Sequence, residues 1–229
     1  MPTILHTISK VVARQNPSQE TTTAQLRADI LDGTYPPGDR LIEMTLAEKY
    51  SVGRGAIRAA LVELRTEGLV DIEANRGAVV RRISLEEAIE IAEARRVLEG
   101  LLAARAAMSD DLAAKESLRD IVGQMGQAVA SGDSARYSEL NRTLHQSIWV
   151  IGEHGVANDL VANLRDRSAH HQYRLAVMPG RAEESLKQHA AIVEAIVAGA
   201  AEAAETAMRD HLTSVIDVLS HWAEMGLKV

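Results

Sequence analysis

The chain of 229 residues carries 25 Lys and Arg against 32 Asp and Glu, with 46% apolar residues and no cysteine. That balance excludes disorder and collagen, and the missing thiols exclude disulfides, thiolate zinc sites and cysteine nucleophiles. Glu194 and Glu202 break the most apolar stretch, 190–204, and Lys10 and Arg14 interrupt 1–15, so neither a membrane span nor a secretory leader is expected and the cytoplasm is the expected compartment.

The net charge of −7 is unevenly distributed: residues 1–83 hold 11 basic and 10 acidic side chains, whereas 84–229 hold 14 and 22. The first part is therefore compatible with DNA although the whole chain is acidic. Pro17, Pro36 and Pro37 also fall in the first part, and beyond them the only other proline after Pro2 is Pro179. The pattern predicts two domains, 1–83 and 84–229.

In chain order, residues 22–31 read as an amphipathic helix with Leu26, Ile30 and Leu31 inward, ended by Gly33 and the Pro36-Pro37-Gly38 turn. Whether residues 1–20 extend this helix or form an arm is left open by the pattern. A short helix is expected over 45–50 and, after Ser51-Val52-Gly53, a third over 54–67 with Ile57, Leu61 and Leu64 as its stripe. The period then changes to two: Leu69, Val70 and Ile72, a turn at 74–77, and Val79 and Val80 predict a hairpin. Three short helices and a two-stranded wing make a winged helix-turn-helix, whose third helix enters the major groove by its N-terminal residues. Arg54 and Arg58, four apart, share one face there, and a guanidinium binds guanine or phosphate through its planar fork. Arg76 at the wing tip and Arg40 before the second helix suit phosphate contacts. The alternative for each arginine is a solvated surface position.

The run Gly33-Thr34-Tyr35-Pro36-Pro37-Gly38-Asp39-Arg40-Leu41-Ile42-Glu43, followed by Leu46-Ala47-Glu48, Val52-Gly53-Arg54-Gly55-Ala56-Ile57-Arg58, Glu67-Gly68-Leu69-Val70 and Arg76-Gly77-Ala78-Val79-Val80, resembles the GntR family of bacterial regulators. The resemblance implies that Arg40, Arg54, Gly55, Arg58, Arg76 and Gly77 contact operator DNA. Gly53, Gly55 and Ala56 stand where the family usually has Ser or Thr, Thr and Pro.

The second part is rich in alanine and apolar positions at three-and-four spacing, which predicts about six helices. Ser84 with Glu87 forms a capping-box pattern opening 85–107, and Ser109 and Asp110 are expected to cap the next helix, ending near Gly132. Asp133 opens a third helix toward Gly152, Gly155 a fourth that stops before Met178-Pro179-Gly180, and the last two span 182–198 and 201–224. The fold class is thus mostly α: a winged helix-turn-helix followed by an all-α bundle.

Three histidines fall on the apolar stripes of separate helices: His145 with Leu140, Leu144 and Ile148; His189 with Ile192, Val193 and Ile196; His211 with Met208, Leu212 and Val215. Buried imidazoles must be hydrogen-bonded or metal-bound, since an unsatisfied buried polar group costs about 1–3 kcal/mol. One such histidine is usually a satisfied core residue, whereas three suit zinc, nickel or a related divalent ion. Arg95, on the stripe of Ile91, Leu98 and Leu102, either pairs with Glu99 one turn on or meets a ligand anion. His171, between Leu164 and Leu175, is expected to face inward and line a pocket.

An all-helical domain behind such a head resembles the FadR-like subgroup, whose C-terminal (FCD) domain binds an effector and dimerises. The resemblance implies a metal held by Asn141, His145, His189 and His211, and a small carboxylate effector met by Arg95 and His171. It implies in turn a homodimeric regulator, more often a repressor, on a pseudo-palindromic operator. The alternative is a metal-dependent hydrolase or lyase using the three histidines, although no His-Glu-x-x-His or nucleophile motif accompanies them.

Overall fold

The structure, a computed structural model, describes residues 19–73, 77–176 and 178–227. The chain divides into two compact units between Val80 and Arg81. The expected turn around Arg76 and the segment 1–18 lie outside the described residues.

The first unit comprises α1 (Gln19–Leu31), β1 (Arg40–Leu41), α2 (Glu43–Tyr50), α3 (Arg54–Thr66), β2 (Val70–Glu73) and β3 (Gly77–Val80). Leu26 of α1, Leu46 of α2 and Ile57, Leu61 and Leu64 of α3 pack with Val70, Ala78 and Val80 in one core. The α2–α3 turn is made at Ser51, whose φ of 56° is left-handed, and Gly53 opens α3 with no side-chain cap. The expected two-stranded wing is instead a three-stranded antiparallel sheet of order β1-β3-β2, because Arg40 and Leu41 pair with Val79 and Ala78. Two residues are too few for a period to register, and pairing with β3, with Leu41 buried in the core, is what holds them extended.

The second unit has seven helices among its described residues: α4 (Leu85–Met108), α5 (Leu112–Ser131), α6 (Ser134–Gly152), α7 (Gly155–Arg167), α8 (Ala169–Ala176), α9 (Arg181–Val197) and α10 (Ala201–Glu224). The caps follow side-chain chemistry: Ser84 Oγ accepts from the Glu87 N–H at 3.2 Å and Asp133 Oδ1 from the Arg136 N–H at 2.9 Å. The cap of α5 is Asp111, accepting from Ala114 N–H at 2.9 Å, rather than Ser109 or Asp110, and His154 caps α7 through Nδ1. The expected fourth helix breaks at Ser168. Its hydroxyl donates to the carbonyls of Leu164 and Arg165 beside its own amide, and Gln172 Nε2 donates to the latter at 2.9 Å, so side chains help to satisfy the carbonyls at the helix end. Ile83 packs with Leu85, Leu175, Leu219 and Trp222 in this unit.

Helices α4 and α10, 24 residues each, lie along one another, and α5, α6 and α9 close the main core around Leu118, Met125, Leu144, Ile148 and Ile192. Close approach of α6 to α4 requires a glycine: a Cβ on Gly152 would stand 2.7 Å from the Leu102 carbonyl oxygen. Gly152→Ala is therefore expected to destabilise the protein by about 1–3 kcal/mol in urea unfolding, because backbone must shift. An unchanged midpoint would show that the helices separate freely.

Candidate DNA interface and histidine cavity

In the first unit, α3 presents Arg54 in its first turn and Arg58 one turn later, both with 62% of the side chain exposed. Both reach Glu43 at the start of α2: Arg58 Nε donates at 2.9 and 2.8 Å to its two oxygens and Arg54 Nη2 lies 3.4 Å from Oε2. Exposed pairs of this kind contribute about 0–1 kcal/mol, so either guanidinium exchanges its carboxylate readily for a phosphate or a base edge. Gly55 is exposed beside them and a Cβ there would meet nothing within 4 Å. Arg40 is exposed on β1, and Gly77, with φ of +86°, begins β3 in a conformation that side chains resist.

In the second unit, His145 of α6, His189 of α9 and His211 of α10 are 1%, 0% and 4% exposed, and each offers a ring nitrogen within 4.8 Å of the others. His145 Nε2 lies 3.3 Å from His189 Nε2, and the His189 and His211 ring centroids are 4.4 Å apart. The opposite edges are committed: His145 Nδ1 donates to Glu99 Oε2 at 2.5 Å and His211 Nδ1 to Gln188 Oε1 at 2.9 Å, with proton positions assigned from these acceptors. Both rings are thereby turned so that Nε2 is free for the cluster. His145 and His211 line a cavity beside the cluster, as do Asn141 and Tyr137, whose buried Oδ1 and Oη have no hydrogen-bond partner among the described residues; His189 Nδ1, within the cluster, has none either.

Glu99 ties the cluster to α4. Its fully buried carboxylate accepts from Arg95 Nε at 2.8 Å, from His145, and from Trp149 Nε1 at 3.2 Å. Burial alone would raise its pKa, but the guanidinium of Arg95 and then His145 hold it well below the usual carboxylate range. Arg95 makes the pair with Glu99 and at the same time lines the cavity, where a ligand anion would meet it. His171 is buried, yet its Nε2 donates to the Ile83 carbonyl at 2.8 Å and it does not line the cavity, whose wall there is formed by Gln172 and Leu175. His171 thus faces inward as expected, and its bond ties α8 to the segment just before α4.

Residues that the sequence reading passed over also line this cavity, namely Arg165 and Arg181. Both were signalled by position, since Arg165 continues the buried Ala157 and Val161 stripe of α7, and Arg181 and Ser185 lie at four-residue spacing before His189.

Burial pushes the pKa of His189 and His211 well below the usual histidine value, and each is pushed further by a neighbouring histidine; burial lowers His145 too, against the pull of Glu99. All three are thus neutral near pH 7, the form with a free lone pair. The unfolded chain binds protons that the folded state refuses, so this contribution to stability is complete above about pH 6.5 and declines as pH falls through the window below it. The metal-free protein is expected to lose denaturation midpoint steadily on acidification below about pH 6.5, with a weaker dependence in His189→Ala, where one of the proton-refusing sites is gone. Identical slopes for the two proteins would contradict the assignment.

Two family descriptions match the chain: residues 18–80 match "Bacterial regulatory proteins, gntR family" and residues 90–214 match "FCD domain". The HTH-type transcriptional repressor RspR of Escherichia coli K12 is 27% identical over 83% of each chain. LutR of Bacillus subtilis, an HTH-type transcriptional regulator, is 27% identical over 87% of this chain and 100% of its own. A regulator from an unstable DNA locus of Streptomyces ambofaciens is 30% identical over 84% of this chain and 81% of its own. Among solved structures, E. coli McbR/YncC superposes with a TM-score of 0.77 at 20% identity, covering 90% of this chain and 98% of that one, a likeness of fold. These families and relatives are transcription regulators rather than enzymes, which sets the hydrolase or lyase alternative aside. No helix of the described residues is long and apolar enough to cross a membrane.

Proposed function

Since the chain belongs to the GntR family of bacterial regulatory proteins and its second part matches the FCD domain, we propose that it is a metal-dependent, effector-controlled repressor. The single observation that carries the effector half is the convergence of three buried, neutral imidazoles from three helices into one cluster, two of which, His145 and His211, line a cavity. Their residues suit a divalent ion such as zinc or nickel: three nitrogen donors, an orphaned Asn141 oxygen on the same cavity, and Glu99 orienting His145 from behind as a hydrogen-bonding carboxylate. His145, His189 and His211 would hold the ion, with Asn141 as an oxygen donor. Bound there, the ion would supply a Lewis-acid anchor for a carboxylate oxygen of the effector.

On the DNA side, Arg54 and Arg58 read the major groove, Gly55 lets α3 approach the backbone, and Arg40, Arg76 and Gly77 meet phosphates. A homodimer sets two such heads on a pseudo-palindrome. Support for self-association comes from apolar pairs left exposed one turn apart, Val97 and Leu101 on α4 and Val156 and Leu160 on α7. Effector binding shifts the population of dimers away from the operator-competent arrangement, a coupling that is reciprocal by linkage. Repression rather than activation is supported by RspR and by the probable D-xylose operon repressor of Paenarthrobacter nicotinovorans, 25% identical over 89% of this chain. A regulator that binds operator DNA in this way acts in the cytoplasm.

Elemental analysis of the purified protein tests the metal reading. We expect about one divalent ion per chain, lost in a His189→Ala, His211→Ala double variant that still folds. A wild-type protein free of metal, with no uptake on addition of zinc or nickel, would overturn it.

A further inference from the structure

The charges around the histidine cavity do not balance. Arg95, Arg165 and Arg181 all line it, and they are only 4%, 6% and 9% exposed. No acid is among the described residues that line it; Glu99 stands behind Arg95 and His145, and its oxygens are spoken for: Arg95 holds Oε1 through both Nε and Nη2, at 2.8 and 2.7 Å, while His145 and Trp149 donate to Oε2. The Arg165 guanidinium makes no hydrogen bond or ion pair with any described residue, and stands over the Trp149 ring, 5.9 Å from its centroid. Glu99 and Asp166 act on it only through space. Arg181 Nη2 donates to the neutral hydroxyl of Ser214 at 3.0 Å, and Glu184 reaches it through space alone.

A buried cation without a counter-charge is among the least favourable arrangements a protein interior holds, and the cost is offset where a ligand brings the missing anion. Burial, then the like charge of Arg95, pull Arg165 down to about 9, which still leaves it protonated at neutral pH. The planar guanidinium fork matches the oxygens of a carboxylate or phosphate in a bidentate manner. The cavity is small, about 50 Å³, room for a few water molecules or a compact ligand and not for a long acyl chain.

We infer that Arg165 and Arg181 form an anion subsite of this cavity, so that the effector is a compact molecule with two acidic groups, one on the histidine side and the second on these arginines. The inference rests on the reading that the cavity holds the effector, and deepens it by fixing the charge of the ligand. A dicarboxylate places one group at each end. A phosphate supplies the same double charge to the arginines.

The test is calorimetric titration of the full-length, metal-loaded protein with succinate and malonate, with butyrate and acetate as single-acid controls and with inorganic phosphate. Wild type, Arg165→Met, Arg181→Met and the His189→Ala, His211→Ala double variant are compared. The dicarboxylates are expected to bind wild type at least about tenfold more tightly than the monocarboxylates, and either methionine variant should erase most of that preference. Phosphate binding that is lost in the same two variants also supports the subsite and assigns its second group to phosphate. Equal affinity for single and double acids, with binding lost in the histidine variant, overturns the subsite and leaves the effector cavity standing. No binding of any of these anions to wild type overturns the subsite and the reading beneath it together. Folding is checked by ligand-free melting, in which removal of an uncompensated charge should leave each methionine variant at or above wild type. A variant that melts lower is replaced by Arg165→Lys or Arg181→Lys, which keep the charge and lose the fork, and should lower dicarboxylate affinity while retaining part of the preference.

Discussion

Glu99→Ala is expected to lower the unfolding free energy by about 3–5 kcal/mol, the cost of breaking one side of a buried ion pair. The carboxylate is wholly buried and satisfies Arg95, His145 and Trp149 together. Its removal leaves the Arg95 guanidinium with no anion and the His145 and Trp149 N–H groups with no acceptor, so three unfavourable terms act at once. Glu99→Gln keeps the shape and one acceptor oxygen and should cost less. In that variant the effect moves to the metal, because His145 loses the charged partner that turns its Nε2 toward the cluster. Metal affinity should then fall about 10- to 100-fold. Urea titration and competitive chelation read the two effects separately. If Glu99→Ala costs less than about 1 kcal/mol, the network is not what joins α4 to the cavity; if Glu99→Gln binds metal like wild type, Glu99 has no part in orienting the ligand. Adding Arg95→Met to Glu99→Ala should recover part of the loss, the coupling expected of two groups that neutralise each other.

Arg58→Ala is expected to weaken operator binding about 10- to 100-fold at fixed salt while leaving metal and effector binding as they were. The side chain is 62% exposed, touches Glu43 alone by ion pairing, and lies on the outer face of the recognition helix, so its loss should leave the core around Ile57 and Leu61 intact. Because Glu43 draws on both Arg54 and Arg58, Glu43→Gln should change operator selectivity more than overall affinity. A mobility-shift titration across several salt concentrations separates base reading from phosphate contact, since a phosphate contact lowers the salt slope by about one and a base contact does not. Unchanged affinity in Arg58→Ala would remove α3 from the major groove.

Legibility in the sequence followed the range of the interactions involved. Caps are local, and Ser84 and Asp133 were readable as such; Asp111 was displaced by one residue from the expected pair because neighbouring acids compete for one role. The three histidines were legible because each lies on an apolar stripe, and helical periodicity alone sends all of them inward. The break at Ser168 was not, since an apolar stripe runs on through it while the hydroxyl and Gln172 take the carbonyls. Strand β1 escaped for the opposite reason, being too short to show a period and existing through pairing with β3.

By itself the sequence determined that the chain is a winged helix-turn-helix followed by a helical bundle, and that three histidines face the bundle's interior. These follow from periodicity, capping and a long run of family motifs, all properties of neighbours in the chain. Only the tertiary structure decided which polar groups meet. Arg95 stands four residues before Glu99, so their pairing was one of two local possibilities, but Glu99 reaches His145 across 46 residues and lies within reach of Trp149 across 50. Likewise, Arg165 and Arg181 arrive on one cavity from different helices, with no acid among the described residues that line it. Charge balance is a sum over neighbours in space, and no spacing along the chain states who those neighbours are.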